Sequence, residues 1–141
     1  MPSRRKSREC ALQMLFQWDM AHDSVEKVEK HYWSNTRPGS DDLLIKFANM
    51  LFAGSVEHID EIDVLISSCT DHWRLERLAA VDRNIMRLSI FEMLNQPDTS
   101  TAVVINEALE IARKFSTPAS AQFVNGVLDY VSKEISKQHS I

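Results

Sequence analysis

The residues with the most evident chemistry stand at the start of the chain. There Ser3-Arg4-Arg5-Lys6-Ser7-Arg8 packs four cations into six positions. Side chains of one sign crowded this way repel one another, yet they match the charge spacing of a phosphate backbone and release its counterions on binding. Nucleic acid is therefore the natural partner, with a solvated basic tail as the alternative. An apolar helical pattern begins directly behind the cluster, which places the cations on an ordered element. Phe16, one or two turns further on, stacks on a base if it is exposed and fills the core if it is not. Arg83 and Arg87 lie four apart and share a helix face. They either extend the basic track or form a solvated face among neighbouring acids, and the second reading is favoured.

Other chemistries find little support. The histidines at 22, 31, 58, 72 and 139 share no metal-ligand spacing and no H-E-x-x-H motif. The densest acidic cluster, Glu57, His58, Asp60, Glu61 and Asp63, is local. It lacks the Glu-x-x-His pairs on separate helices that build a carboxylate metal site, so it reads as a solvated face. Cys10 and Cys69 sit among apolar neighbours as small core residues. With no C-x-x-C pair they argue against a disulfide scaffold or a zinc module and favour a reducing compartment, with the cytoplasm as the default. No glycine-rich phosphate loop occurs. The chain is expected to be no enzyme and to need no metal or other cofactor.

The elements that position the basic cluster follow from composition and periodicity. Only 3 glycines and 4 prolines punctuate 141 residues, well below average usage, which predicts long helices. A mass of 16.2 kDa with 44% hydrophobic and 26% charged residues suits one globular domain. No stretch approaches the roughly 18 to 20 apolar residues of a membrane span, and the N-terminus lacks a signal-peptide hydrophobic segment. The net charge of −4 conceals an asymmetry: the first ten residues net +3, and the other 131 carry 12 basic against 19 acidic side chains. Such a basic tip on an acidic body implies two different surfaces, one for a polyanion and one for a cationic partner or for solubility.

Apolar residues at three- and four-residue steps predict a helix from about Ser7 to Ala21, and a second capped by Asp23 or Ser24. Asn35 to Gly39 is the clearest loop. Ser40 as N-cap opens a third helix, which breaks near Gly54 before a fourth carrying Ile59, Ile62, Ile66 and Cys69. Asp82 is expected to cap the next helix, with Ile85, Leu88 and Phe91 inward. A helix from Thr101 buries Val104, Ala108, Ile111 and Phe115. Thr117 and Pro118 open the last helix, whose inward stripe is Phe123, Val127, Val131 and Ile135, with Gly126 at a close helix contact. No period-two strand pattern survives. The expected fold is an all-α bundle of about seven helices.

Four segments then stand out together, in order along nearly the whole chain. They are Arg4-Arg5-Lys6-Ser7-Arg8-Glu9-Cys10-Ala11-Leu12-Gln13-Met14-Leu15-Phe16-Gln17-Trp18, the stretch Val81-Asp82-Arg83-Asn84-Ile85-Met86-Arg87-Leu88 with Phe91-Glu92-Met93-Leu94, Val104-Ile105-Asn106-Glu107-Ala108, and Phe123-Val124-Asn125-Gly126-Val127-Leu128-Asp129. The set resembles the NusB transcription antitermination family. The resemblance implies a single domain over 1–141, made of two perpendicular three-helix subdomains of about 1–78 and 79–141. It implies binding of single-stranded boxA RNA of ribosomal RNA operons with a ribosomal protein of the NusE type, in a complex that helps RNA polymerase resist termination. It assigns RNA contact to Arg4, Arg5, Lys6, Arg8, Phe16, Gln122 and Phe123, and partner docking to the side carrying Glu76 and Asp82. The acidic body suits a basic ribosomal protein.

Where many members carry a Gly-x-acidic-Ser-x-Lys stretch before Phe-Val-Asn-Gly, this chain reads Ser116 to Gln122, and Ser100 and Ala102 stand where a proline and a lysine are frequent. Two cations are thereby removed from the C-terminal RNA face, which shifts the expected affinity to the N-terminal arm. Family members occur as monomers and as homodimers. The alternative readings are a helical protein–protein adaptor and an rRNA-maturation factor without an antitermination role.

Overall fold

In the computed structural model the chain is all-α, and the structure describes residues 3–70, 77–96 and 98–139. The α-helices are α1 Arg4–Ala21, α2 Val25–His31, α3 Asp42–Glu57, α4 Ile59–Cys69, α5 Ala80–Asn95, α6 Thr101–Phe115 and α7 Pro118–His139. A π-helical turn, Tyr32–Thr36, follows α2 directly. No strand occurs among the described residues. Two compact units divide between Glu57 and His58. This division lies ahead of the one expected near residue 78, because α4 packs against α5 and α7.

In the first unit Ser3 caps α1, its Oγ accepting from the Lys6 N–H at 3.3 Å. The helix therefore starts at Arg4, three residues before the expected Ser7, and takes the basic cluster into its first turns. Cys10, Ala11, Met14 and Leu15 are buried, as are Leu44, Ala48, Leu51 and Phe52 of α3, and α1 packs on α3. Ser7, also buried, ties the two helices together by donating to the Leu44 carbonyl at 3.1 Å. The chain leaves α1 through His22 in the left-handed region, φ 59°, its N–H bonded to the Trp18 carbonyl.

Ser24 caps α2, accepting from the Lys27 N–H at 3.2 Å. The π-helical turn takes Asn35 and Thr36 out of the expected loop, which ends at Gly39 with φ 77°, a conformation other residues adopt only with strain. Asp41, not Ser40, caps α3: its Oδ1 accepts from the Leu43 N–H at 2.8 Å, while the Ser40 hydroxyl donates to the Arg37 carbonyl. Helix α3 also runs through Gly54, and the break comes at His58. A single glycine weakens a helix by only about 1 kcal/mol, less than α3 recovers by burying Leu51, Phe52 and Ser55.

The second unit is built on α5, which packs against α4, α6 and α7. Every residue from Asp82 to Glu92 is buried. Helix α5 begins at Ala80, so Asp82 lies in its first turn instead of capping it. There its carboxylate suits the helix dipole and accepts from the Ser116 hydroxyl at 2.9 Å. Arg83 and Arg87 do not form a solvated face; they are 7% and 6% exposed. Arg87 makes a bidentate pair with Asp63 of α4, Nε to Oδ1 at 2.9 Å and Nη2 to Oδ2 at 2.8 Å, and its Nη1 donates to Asn84 Oδ1 at 3.0 Å. Arg83 donates to the Leu78 carbonyl at 3.2 Å.

Ser100 caps α6, accepting from the Val103 N–H at 3.2 Å, and Thr117 caps α7, accepting from the Ser120 N–H at 3.1 Å. The buried stripe of α7 is Ala121, Val124, Val127, Leu128 and Val131. Phe123 stands one position off that stripe and is half-buried, and Phe115 is exposed at the end of α6 instead of filling the core. Gly126 is exposed, and a Cβ built on it meets nothing within 4 Å. It makes no close helix contact. Cys10 is buried as expected, whereas Cys69 is only half-buried.

Two substitutions test this packing. Arg87→Ala strands the Asp63 carboxylate and is expected to destabilise the fold by about 3 kcal/mol, measured by urea denaturation. Gly126→Ala is expected to stabilise it by about 0.5 to 1 kcal/mol, because the helix gains a better former without a clash; a loss of stability would instead place a close neighbour over Gly126.

Candidate nucleic-acid interface

Arg4, Arg5 and Lys6 fill the first turn of α1, and no acidic residue accompanies them there. Cations at this end oppose the helix dipole by about 0.3 to 1 kcal/mol each. The same backbone N–H groups that disfavour a cation favour a phosphate, so an anion bound here gains from dipole and side chains together.

The four cations are not equivalent. Arg4 and Arg5 are exposed. Lys6 is half-exposed and reaches Glu9 Oε1 at 3.6 Å, so part of its charge is already balanced. Arg8 is only 8% exposed, with its guanidinium carbon 5.8 Å from the centre of the Phe47 ring. Arg4 lies over the same ring at 4.5 Å. Phe47 of α3 thus carries two guanidiniums, a geometry worth about 0.5 to 2 kcal/mol per contact. The arginines nearest to it are held in place by an aromatic platform. Of the expected cations, Arg4 and Arg5 are exposed, Lys6 is half-exposed and Arg8 is buried.

Further along α1, Phe16 is 38% exposed, enough to offer a ring edge or face to a base. Gln13 shares its side of the helix and accepts from the Tyr32 hydroxyl. Burial first, then a hydrogen bond with Cys10, pushes the Tyr32 phenol above its ordinary value and keeps it a neutral donor.

In the second unit Gln122 is exposed and Phe123 half-buried on the first turns of α7. Asp82, expected at a partner surface, is 5% exposed and engaged by Ser116, so little of its carboxylate faces solvent. Glu76 lies outside the described residues. The exposed acids at the start of α4, Asp60 and Glu61, with the exposed Val64 beyond them, offer a partner more accessible surface than Asp82 does. Among the described residues no group of three or more His, Cys, Asp or Glu side chains could hold a metal ion. No helix among them is long and apolar enough to cross a membrane.

With this geometry in hand, the NusB family model matches residues 5–133. The chain belongs to the NusB family. The transcription antitermination protein NusB of Koribacter versatilis is 52% identical over 133 residues, spanning 94% of this chain and 90% of that protein. Among solved structures, T. maritima NusB superposes with a TM-score of 0.86 at 35% identity, covering 95% of this chain and 94% of that one. A crystal structure of the antitermination factors NusB and NusE in complex with dsRNA matches with a TM-score of 0.82 at 27% identity, covering 93% of this chain and 96% of the other.

Sequence reasoning within this NusB chain missed Phe47, Leu43 and Lys46. They carry no motif, and only the packing of α1 on α3 brings them beside Arg4, around an open cleft of about 350 Å³. Periodicity does indicate that Leu43 and Phe47 share a face of α3 four residues apart, but it does not indicate which helix meets that face.

The burial pattern separates binding from folding among the arm residues. Arg8→Ala is expected to lower stability by about 1 to 2 kcal/mol through lost packing over Phe47. Arg5→Ala and Phe16→Ala are expected to stay within about 0.5 and 1 kcal/mol of the parent chain, read by chemical denaturation.

Proposed function

We propose that this chain is a transcription antitermination factor of the NusB type: a non-catalytic, cytoplasmic RNA adaptor that binds boxA RNA of ribosomal RNA operons together with a NusE-type ribosomal protein. In that role it joins the complex that lets RNA polymerase resist termination. The observation that carries the reading is the start of α1, where Arg4 and Arg5 are exposed in a first turn whose free backbone N–H groups favour an anion.

The chemistry follows from the same residues. Arg4, Arg5 and Lys6 track phosphates and set the register of the strand without reading its sequence. Phe16 stacks on a base, which favours an unpaired strand whose bases can be splayed out. Gln122 donates or accepts hydrogen bonds at the start of α7 without adding charge, and Phe123 supplies apolar contact. The acidic start of α4 offers a NusE-type partner a surface of opposite sign, which speeds encounter with a basic protein.

The ionic-strength dependence of RNA binding tests this directly. With three cations on phosphates of a single strand, log K is expected to fall against log salt with a slope of about −2.1, a loss of roughly twentyfold between 50 and 200 mM. A slope near −2.8 would mean that a fourth cation also reaches a phosphate. Replacing Arg4, Arg5 and Lys6 together by alanine is expected to make the slope shallower by about 2.1 in fluorescence anisotropy with boxA RNA, with and without the NusE-type protein. A slope unchanged by that substitution removes the arm from the RNA site and leaves the protein–protein adaptor reading.

A further inference from the structure

The cleft between α1 and α3 has a composition that a phosphate track does not need. Phe47 and Met50 make it apolar, Leu43 stands beside it at 64% exposure, and Arg4 and the exposed Lys46 bring positive charge to it. An apolar slot bordered by cations matches a nucleotide, which has a flat apolar base at one end and an anionic phosphate at the other. A volume of about 350 Å³ lies at the lower end of the range for small-molecule sites, large enough for one base with its sugar.

The Arg4 guanidinium makes the slot more specific. It borders the cleft and lies 4.5 Å from the centre of the Phe47 ring, so a base entering the cleft meets a cation already backed by an aromatic. A guanidinium plane stacks well on bases, and ordering it beforehand reduces the entropy lost on binding. Ser7 is committed to the Leu44 carbonyl, which fixes the distance between the two walls.

We infer that the α1–α3 cleft is a subsite for one unpaired nucleotide of the bound RNA. Its base lies against the Arg4–Phe47 pair and Leu43, and its phosphate lies at Lys46. The inference rests on the RNA-binding reading above and adds α3 to a surface so far built from α1.

The test uses the full chain with its NusE-type partner and single-stranded boxA RNA in which each nucleotide in turn is made abasic. Binding is measured for the parent protein, for Phe47→Leu, for Lys46→Gln and for Arg4→Ala with Arg5→Ala. In the parent, one abasic position is expected to weaken binding on the order of tenfold, as loss of one stacked base does. In Phe47→Leu that position is expected to lose most of its effect while the others keep theirs. Lys46→Gln, an exposed substitution that leaves the fold intact, is expected to make the salt slope shallower by about 0.7, the value for one phosphate on a single strand. If the arm variant loses RNA but neither Phe47→Leu nor Lys46→Gln alters the abasic profile or the slope, the subsite is wrong and the RNA reading stands. If the arm variant binds as the parent does, both fail.

Discussion

The first unit depends on a helix start that its own electrostatics disfavour. Arg4, Arg5 and Lys6 sit at the positive end of α1 with no acid in that turn, and each works against the dipole. The turn holds because the next two turns bury Cys10, Ala11, Met14 and Leu15. Each large side chain among these contributes about 1.5 to 3 kcal/mol. That exceeds the opposing charge terms, so packing against α3 supports a cluster that an isolated peptide would not keep helical. On the proposed reading, the unfavourable start also prepares the site, since a phosphate relieves repulsion and dipole penalty in a single contact.

The second unit handles its charge differently. Arg87 and Asp63 are 24 positions apart and meet only because α4 lies along α5. A buried pair of this kind adds little net stability over a well-packed apolar pair, but losing one partner is costly. Its consequence is specificity of packing: the fork geometry of the guanidinium fixes the register between the two helices more narrowly than interchangeable leucines would. Asn84 and Ser116 serve the same end, the first binding Arg87 and the second binding Asp82.

These two arrangements explain what the sequence disclosed and what it did not. Periodicity and capping chemistry locate the helices, because caps such as Ser24 and Thr117 act through bonds spanning three residues. The apolar pattern points to a start at Ser7, because the first turn of α1 is cationic and lies outside that pattern. Asp82 and Ser40 have cap-like chemistry, but the backbone turns into the helix two residues before Asp82 and two after Ser40. Arg83 and Arg87 read as solvent-facing because charge predicts exposure until a distant carboxylate or carbonyl takes it up. Gly126 shows the converse: a small residue suggested a close neighbour, yet the α7 stripe passes through Val124, Val127 and Leu128 and leaves the glycine outside. At the candidate site, the cations stand out as a cluster of one charge sign, whereas Phe47 is a single aromatic whose proposed role depends on the α1–α3 pairing.

The uneven exposure of the arm also bears on what an RNA partner would measure. On the proposed reading Arg8, nearly enclosed over Phe47, serves a ligand chiefly by shaping the platform that holds Arg4. Gln122, exposed on α7, offers hydrogen bonds but no charge. On the proposed reading, ionic-strength dependence therefore originates in the first unit alone, and contacts made by the second contribute to affinity at a level that salt leaves unchanged. On the same reading the first unit combines phosphate attraction with base contacts at Phe16, and the second adds short-range polar and apolar contacts without charge.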